Sequence, residues 1–569
     1  MKRTILIISA LFCFVSASAQ VLREVEVTKQ YAPKLPPARK LEITTNKLDT
    51  VAIRPEIDYT VSPKSFKSAL TAEKFRPATV TYWEYDRQYP FYLKAGVGFP
   101  LSSQVDFYAS THRADVGYLT GYVNHLGQFA NIKVEDPFSG SIYDNNSQQM
   151  INRVGVNGGK YIGRYTFDGD IYYQSDIYHR YPQQSAEDML DEINYENAAL
   201  SLKFGDSFAD LSKVNFSLYA SADMYNDKSE PYIMAYDGRK LQQISTNAGA
   251  KIARKIGNRC ELSAFFDYQG YYGLQDLKEY DNNIISAGFV VGYCSAKMFN
   301  MKAGLSYSYD NLPLATVEAK HHILPYLYLG LNVKDNGVFV PYIEVDSKLI
   351  NNSYQQLQRT NPYILLLGDN IEAKPNTVIY NARFGFTGHT KNCKLAYRLY
   401  ANMSFIDNAL YWYNYNLYGF DAVVGRQNVW SVNASVEYKP ISSLFMSLGF
   451  KGMVYTDFVT EVDNCKPSYM GDLKIGYTHR KFAVSLLATL VGDTKWTMMY
   501  SDTEAVEQLS SATISYPAYV DLGLMFDWYV SKQWTIFVEG KNLANANIYQ
   551  WANYRQYGIA GMVGVKVQF

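Results

Sequence analysis

The chain ends in YGIAGMVGVKVQF, residues 557–569, and this stretch bears directly on what kind of β-protein it forms. Its larger apolar residues share one face at period two: Ile559, Val563, Val565, Val567 and Phe569. A soluble sheet turns such a face toward a dry core, whereas a membrane barrel turns it toward lipid. One strand cannot separate these alternatives, so the rest of the chain has to decide.

The composition favours strands rich in aromatic side chains. The 569 residues include 51 Tyr, and such enrichment is typical of barrel strands at the two interfaces of a bilayer. Mean hydropathy is −0.22, and no apolar run of about 18 residues follows the N-terminus, so no membrane-spanning helix is predicted. The alternative that remains open is a soluble, Tyr-rich β-protein.

Charge and motifs exclude several classes of function. The 54 basic and 54 acidic residues cancel, which argues against a nucleic-acid partner. The seven histidines have no ligand spacing, and neither a G-x-S-x-G nor an H-E-x-x-H motif occurs, so we predict no enzyme, metal or cofactor. Four cysteines are scattered too widely for a disulfide scaffold: Cys260, Cys294, Cys393 and Cys465.

The N-terminal residues differ from the rest of the chain. Residues 1–19 combine a basic start, an apolar run and the A-x-A sequence Ala17-Ser18-Ala19, which predicts a secretory signal peptide. Residues 20–89 contain six of the 19 prolines, which disfavour long strands and helices. We therefore expect an extended Pro-rich segment that lies in the periplasm or in a lumen.

Residues 90–569 repeat the pattern of a β-hairpin. In residues 430–438, for example, Trp430, Val432 and Val436 alternate with polar residues. Tight turns alternate with long polar connections: about 127–151, 177–195, 225–242, 349–377, 408–427, 492–516 and 542–556. This asymmetry is typical of outer-membrane barrels. Several strands also carry charged residues on the face opposite the apolar one, and a wet lumen accommodates these better than a dry core does.

We therefore predict an all-β fold, a transmembrane antiparallel barrel of about 22 strands. The last strand is expected to close the barrel against the first, near Tyr92–Phe99, so that no edge is left unpaired in lipid. An even strand count places both ends of the barrel on the short-turn rim. The expected location is the outer membrane, with both termini periplasmic and lipid as a partner.

The end of the barrel also resembles a targeting signal. Phe569, with Val563, Val565 and Val567 at alternate positions before it, is similar to the C-terminal signal that the outer-membrane insertion machinery reads.

Two stretches resemble TonB-dependent receptors. NIEAKPNTVIYNARFGF, residues 370–386, is similar to the lead into that family's later strands, and residues 519–551 are similar to its C-terminal end, above all in Asn542-Leu543 followed by Tyr549. The cleavage site and Tyr-rich strands resemble Bacteroidota members. The resemblance implies transport of a solute or larger substrate across the outer membrane. The chain departs from the family in one respect, because residues 20–89 are too short and too rich in proline for a full plug domain.

One short stretch resembles the box with which such receptors engage TonB. It reads EVEVTK: Glu24, Val25, Glu26, Val27, Thr28 and Lys29. Such a box adds a strand to its partner's sheet, so an extended segment suits it, and TonB or another envelope protein is the expected partner of residues 20–89. A plain extended segment is the alternative interpretation.

An aromatic run, YWYNYNLYGF at residues 411–420, falls in a predicted outer loop. Its aromatic side chains are candidates for recognition, with loop packing as the equal alternative: Tyr411, Trp412, Tyr413, Tyr415 and Tyr418. Two functions therefore stand at this point. One is transport, and the other is a structural or assembly barrel that scaffolds an outer-membrane complex through its loops and N-terminal segment.

Overall fold

The structure is a computed structural model. It describes residues 89–113, 116–135, 140–180, 192–229, 240–294, 299–312, 321–333, 337–365, 373–415, 419–459, 462–463, 465–501 and 509–569. Of the two compact units, Met1–Arg76 and Pro77–Phe569, only the second contains described residues. The predicted signal peptide and nearly all of the Pro-rich segment 20–89 therefore lie outside the described residues.

Strands dominate the described chain. They are β1 (Phe91–Phe99), β2 (Ser102–Arg113), β3 (Gly117–Gln128), β4 (Asn131–Glu135), β5 (Ile142–Asn146), β6 (Gln149–Ile162), β7 (Tyr165–His179), β8 (Glu192–Asp206), β9 (Asn215–Asp227), β10 (Leu241–Ile256), β11 (Cys260–Gln275), β12 (Asn282–Cys294), β13 (Phe299–Asp310), β14 (His321–Leu331), β15 (Val340–Ile350), β16 (Thr377–His389), β17 (Leu395–Tyr415), β18 (Gly419–Ile441), β19 (Leu444–Asp457), β20 (Tyr469–Thr478), β21 (Phe482–Val491), β22 (Thr494–Ser501), β23 (Leu509–Tyr516), β24 (Tyr519–Tyr529), β25 (Trp534–Lys541), β26 (Tyr549–Trp551), β27 (Tyr554–Arg555) and β28 (Ala560–Gln568). The described helices are α1 (Tyr354–Thr360) and a 3₁₀ turn at Lys278–Tyr280. Neither helix is long and apolar enough to span a membrane.

A closed antiparallel barrel of 22 strands forms the body of the molecule. Each strand pairs with the next one in the chain, except that β4–β5, β22–β23 and β26–β27 are hairpins within connections. The barrel closes where β28 pairs with β1, in a register that runs from Tyr92 opposite Gln568 to Phe99 opposite Gly561. This confirms the predicted fold class and the predicted closing pair.

The connections are sorted between the two rims. One rim, here called the short-turn rim, carries the start of β1, the end of β28 and connections such as 163–164 and 442–443. The opposite, long-loop rim carries the longest connections: 129–148, 180–191, 228–240, 351–376, 492–518 and 542–559. The predicted sorting is confirmed, with two exceptions at the long-loop rim: residues 100–101 alone join β1 to β2, and only residues 416–418 lie between β17 and β18.

The two faces of the wall differ as the alternation predicts. Val432 and Val563, about half exposed, lie on the outer surface together with most of the large exposed apolar residues. On the lumenal face, Lys94 pairs with Glu539 at 2.9 Å, and Lys566 pairs with Asp527 at 2.6 Å. Each pair reaches across one intervening strand, β28 in the first case and β25 in the second, so these lumenal charges are neutralised by partners two strands away.

Apolar side chains from several long connections meet at the long-loop rim. We call this group the rim cluster, and its fully or almost fully buried members include Val134, Tyr280, Leu357, Phe420, Trp496 and Tyr554. The β22–β23 hairpin reaches the cluster by pairing in parallel with the end of β17, where Asn414 lies opposite Met498. Because residues from β4, β18, β22 and β27 take part, the cluster ties distant parts of the rim together.

Candidate functional site

The aromatic run lies in a tall hairpin and not in the loop predicted over 408–427. Strands β17 and β18 have 21 and 23 residues, about twice the number that crosses a bilayer. A register shift between Ile406 and Ala409 interrupts the ladder, which then resumes to the end of both strands. Asn408 lies at this irregularity with a φ of 57°.

Packing covers much of the aromatic run. Tyr411 is 1% exposed and donates a 2.7 Å hydrogen bond to the carbonyl oxygen of Arg426, and Trp412 belongs to the rim cluster. Tyr413 and Tyr415 are partly buried, while Tyr418 lies outside the described residues. A role in recognition stays a prediction, because Tyr411 and Trp412 present little surface.

The other predicted site residues occupy separate places. Val563, Val565 and Val567 lie on β28, and the ring of Phe569 stacks on Phe91 with centroids 5.1 Å apart. The TonB-box-like residues 24–29 fall outside the described chain. The sequence-predicted residues therefore do not come together in one site.

A segment that the sequence did not single out occupies the barrel near the long-loop rim. We call residues 351–365 the inward segment. Ser353 caps α1, since its Oγ accepts a 3.4 Å hydrogen bond from the backbone N–H of Gln356, and serine is a favoured cap at this position. The helix then buries four side chains: Tyr354, Gln355, Leu357 and Gln358.

Polar contacts anchor the buried face of α1 to the barrel wall. The Tyr354 phenol donates a 2.5 Å hydrogen bond to Oδ2 of Asp227, and Gln358 Nε2 donates to the same oxygen at 2.7 Å. Gln355 accepts a 3.1 Å bond from Ser245 on β10. Burial, reinforced by the Asp227 carboxylate, raises the pKa of the Tyr354 phenol. The phenol therefore stays protonated and remains a donor to that carboxylate.

The far end of the inward segment is fixed to other parts of the rim. The backbone N–H of Leu365 donates to the carbonyl oxygen of Phe420 at 2.8 Å, and Phe420 donates to the carbonyl oxygen of Tyr363 at 3.0 Å. The ring of Tyr363 stacks on Tyr554 with centroids 3.7 Å apart. The segment thus crosses from the β9 wall to β18 and β27 and is held at both ends.

A cavity of about 370 Å³ lies between the inward segment and the wall formed by β6–β9. Its volume falls in the range of small-molecule sites. Its lining is polar and aromatic: Arg153, Tyr172, Gln174, Asp176, Tyr178, Tyr195, Asn197, Tyr225, Gln358, Arg359 and Pro362. Such a lining suits binding of a polar molecule by hydrogen bonds and ring contacts.

The wall side of the cavity is held rigid by its own contacts. The guanidinium of Arg153 lies 3.8 Å from the centre of the Tyr172 ring, and Asn197 Nδ2 donates to the hydroxyl of Tyr172 at 3.3 Å. The hydroxyl of Tyr195 donates to the carbonyl oxygen of Pro362 and so links the wall to the inward segment. These bonds keep the cavity in shape without a ligand.

Comparisons with known proteins give a fold likeness. No protein-family model matches the sequence, and a search of curated proteins finds no significant match. Among solved structures, the siderophore receptor PirA from Acinetobacter baumannii aligns with a TM-score of 0.62 and 13% identity, over 84% of this chain and 80% of that one.

Two further structures align over similar shares. The FrpB iron transporter from Neisseria meningitidis has a TM-score of 0.62 and 10% identity, and the alignment covers 86% of this chain and 82% of that one. A mutant of the ferric enterobactin receptor PfeA from Pseudomonas aeruginosa has a TM-score of 0.61 and 10% identity, over 84% and 80%. At these identities the likeness establishes the barrel fold.

Proposed function

We propose that residues 90–569 form an outer-membrane barrel of the TonB-dependent receptor type, of the Bacteroidota kind, that passes a solute or larger substrate across the outer membrane. One observation carries the proposal: the inward segment and the rim cluster obstruct the long-loop end of a wide barrel with a polar wall. A barrel of 22 strands is too wide for its wall side chains to fill, so a transporter of this size needs such an obstruction. The receptors and the iron transporter that share the fold support transport in general.

In this proposal the short-turn rim faces the periplasm, as do both termini. Residues 1–19 are a signal peptide, and residues 20–89 occupy the periplasm or the lumen in place of a full plug. The stretch Glu24–Lys29 pairs with TonB or another envelope protein. The insertion machinery reads the C-terminal residues that end at Phe569.

Labelling of intact cells with a membrane-impermeant maleimide tests the location and orientation. Ala544 is exposed in a connection of the long-loop rim, and the native Cys393 is exposed in a turn of the short-turn rim. We expect an Ala544→Cys variant to be labelled in intact cells, with Cys393 labelled only after the outer membrane is permeabilised. Labelling of Cys393 in intact wild-type cells contradicts the orientation.

A structural or assembly barrel is the second candidate, and one observation favours it. The rim cluster is buried like the core of a soluble domain, with Phe420 and Tyr554 at 0% and 2% exposure, as a permanent cap requires. Pull-down after mild detergent extraction separates the candidates. A stoichiometric envelope complex that is lost when residues 21–80 are deleted supports the scaffold, and a chain that purifies alone supports transport.

A further inference from the structure

Three polar side chains form a chain of hydrogen bonds on the outer face of the barrel. The Oγ atom of Ser103 lies 2.8 Å from Nε2 of His125, and Nδ1 of the same ring lies 2.7 Å from Oδ1 of Asn152. The three residues belong to β2, β3 and β6, so no local sequence motif links them. The order of serine, histidine and amide oxygen is that of a nucleophile, its general base and the group that orients the base.

The hydrogen-bond partners fix the roles of the two ring nitrogens. An amide oxygen can only accept, so Nδ1 of His125 carries the proton and donates a hydrogen bond to Asn152. Nε2 is then the acceptor, and the hydroxyl of Ser103 donates to it. In this arrangement an imidazole can take the serine proton while Oγ attacks a carbonyl carbon.

The strand register places the three side chains on the lipid-facing side of the wall. Ser103 lies opposite Val97, which is 64% exposed. Asn152 lies opposite His125 and two residues before Val154, which is 49% exposed. All three polar residues fall within four residues of the strand ends at the long-loop rim. The group is therefore separate from the lumen, the inward segment and the cavity.

A glycine and several apolar residues leave room beside the serine hydroxyl. Gly127 lies opposite Ser103, and a Cβ there would come within 2.9 Å of Oγ and 2.5 Å of the Phe129 ring. Phe99 and Leu101, at the adjoining connection from β1, are 79% and 63% exposed. Such a surface suits a hydrocarbon chain that lies next to a polar reactive group.

The site lacks one part of a fast catalyst. Strand β2 is paired on both sides around Ser103, so the backbone N–H groups there bond to β1 and β3. They cannot form an oxyanion hole, in which a single donor contributes about a hundredfold or more in rate. The geometry therefore favours slow formation and slow release of a serine ester rather than rapid turnover.

We propose that Ser103 is an acyl-acceptor site that takes a fatty-acyl group from an ester lipid of the surrounding membrane. Oγ attacks the ester carbonyl carbon while its proton passes to Nε2 of His125. The bond from that carbon to the alcohol oxygen of the lipid then breaks, and this oxygen takes the proton from Nε2. The products are an acyl ester of Ser103 and a lysolipid. This modification goes beyond transport and does not depend on it.

Labelling with a rhodamine-linked fluorophosphonate tests the nucleophile in the full chain, held in lauryldimethylamine oxide. We expect labelling of the wild type, no labelling of Ser103→Ala, and labelling of His125→Gln slowed about a hundredfold. Ser110→Ala is the matched control and should react like the wild type, because Ser110 lies on the same strand with the Thr120 hydroxyl, 2.8 Å away, as its partner. Wild-type labelling no faster than that of Ser103→Ala overturns the proposal.

Two variants test the positioning role of Asn152. Asn152→Asp keeps an oxygen that accepts from Nδ1 of His125 and should retain labelling. Asn152→Leu removes that oxygen and should slow labelling about tenfold or more, while both variants keep the folded band in cold SDS gels. Equal labelling of the two variants overturns the role assigned to Asn152.

Vesicles of dioleoylphosphatidylcholine test the acyl donor. After reconstitution of the wild type, we expect an oleoyl ester on the peptide that contains Ser103 and an equal amount of lysophosphatidylcholine, both measured by mass spectrometry and both absent with Ser103→Ala. An unmodified Ser103 in a chain that the fluorophosphonate labels overturns membrane lipid as the donor. Steady release of oleate without a serine ester contradicts the slow release.

Discussion

The Tyr354 hydroxyl lies 2.5 Å from Oδ2 of Asp227, and this hydrogen bond ties the inward segment to the end of β9. Gln358, one helical turn further along α1, donates to the same oxygen at 2.7 Å. One carboxylate therefore receives two donors from one face of a short helix. Asp227 thus anchors two residues of the helix, while Ser245, Gln243 and Asn197 hold Gln355 between them.

Replacing that carboxylate is expected to loosen the segment. Asp227→Asn keeps the shape but weakens two charge-assisted bonds, which lowers the free energy of releasing α1 by about 2 kcal/mol. Trypsin cleavage after Arg359 of the detergent-solubilised chain should then be faster by about thirtyfold. Asp267→Asn is the control, because Asp267 accepts a 2.5 Å bond from Tyr219 within the wall. Equal cleavage rates in the two variants would contradict the role of Asp227 in holding α1.

The seam between β1 and β28 should not tolerate added volume at Gly564. A Cβ there would lie 2.1 Å from the carbonyl oxygen of Ala95 and 2.6 Å from the Cα of Gly96, so backbone has to move. We expect Gly564→Ala to destabilise the barrel by about 1–3 kcal/mol, seen as a lower temperature for loss of the folded band in cold SDS gels. At Gly471, on β20, the nearest atom would be 3.6 Å away, so Gly471→Ala should behave like the wild type.

The terminal residue offers a test that separates assembly from packing. Phe569 stacks on Phe91 and exchanges two backbone hydrogen bonds with it, of 3.0 and 3.1 Å. Phe569→Ala and Phe91→Ala both remove this ring contact, and Phe91→Ala also removes the stacking of Phe91 on Phe107, so the Tm of refolded protein should fall slightly in both and at least as far in Phe91→Ala. If the insertion machinery reads Phe569, only Phe569→Ala should lose folded protein from the outer membrane of cells. Equal losses in cells assign Phe569 to packing alone.

Thiol reactivity should separate the two rims. Cys465 lies in the connection 458–468, where its Sγ donates to the carbonyl oxygen of Trp412 and burial raises its pKa to about 12. Since the thiolate is the nucleophile, Cys465 should resist iodoacetamide between pH 7.5 and 10 and react only as the pH nears 12. Exposed Cys294 and Cys393 should react first, as mass spectrometry of the peptides will report.

Unfolding provides the control for that experiment. In denaturant all three thiols should react at comparable rates, because the burial that protects Cys465 is lost. Trp412→Ala should also increase the reactivity of Cys465 in the folded chain, since it opens the packing around the thiol. Alkylation of Cys465 as fast as Cys393 in the folded wild type contradicts the packed rim.

The wall of the barrel could be predicted from the sequence because strands and tight turns are determined by local sequence patterns. Alternation at period two and tight turns such as 442–443 predict the strands and the two rims, and the need to leave no strand edge unpaired in lipid then predicts that β28 pairs with β1. The inward segment could not be predicted in the same way. Its buried face carries Gln355 and Gln358, whose partners, such as Asp227, lie more than 100 residues earlier. Hydrophobic periodicity does not predict burial of the polar face of α1, because that face becomes buried only when distant strands pack against it.

The tall hairpin formed by β17 and β18 was wrongly predicted to be a loop for a related reason. Its residues are apolar on both faces because loops pack inside it, so the alternation that marks the wall disappears beyond Ile406. The signal that could have found the inward segment is Ser353, a capping residue directly before YQQLQRT in a long connection. That signal predicts a short helix, although it leaves the position of the helix in the barrel open.

Planar-bilayer conductance tests the central claim, which is that the barrel is a conduit obstructed by two segments of its own chain, residues 20–89 and the inward segment. Four chains are compared: the full chain, one lacking residues 21–80, one lacking residues 352–375, and one lacking both. The deletion of residues 352–375 leaves a short gap to bridge, because Ile350 and Thr377 lie opposite each other in the β15–β16 ladder. The account predicts no measurable current through the full chain and a steady current through the chain that lacks both segments. A double deletion as silent as the full chain, or a full chain that already conducts, contradicts it.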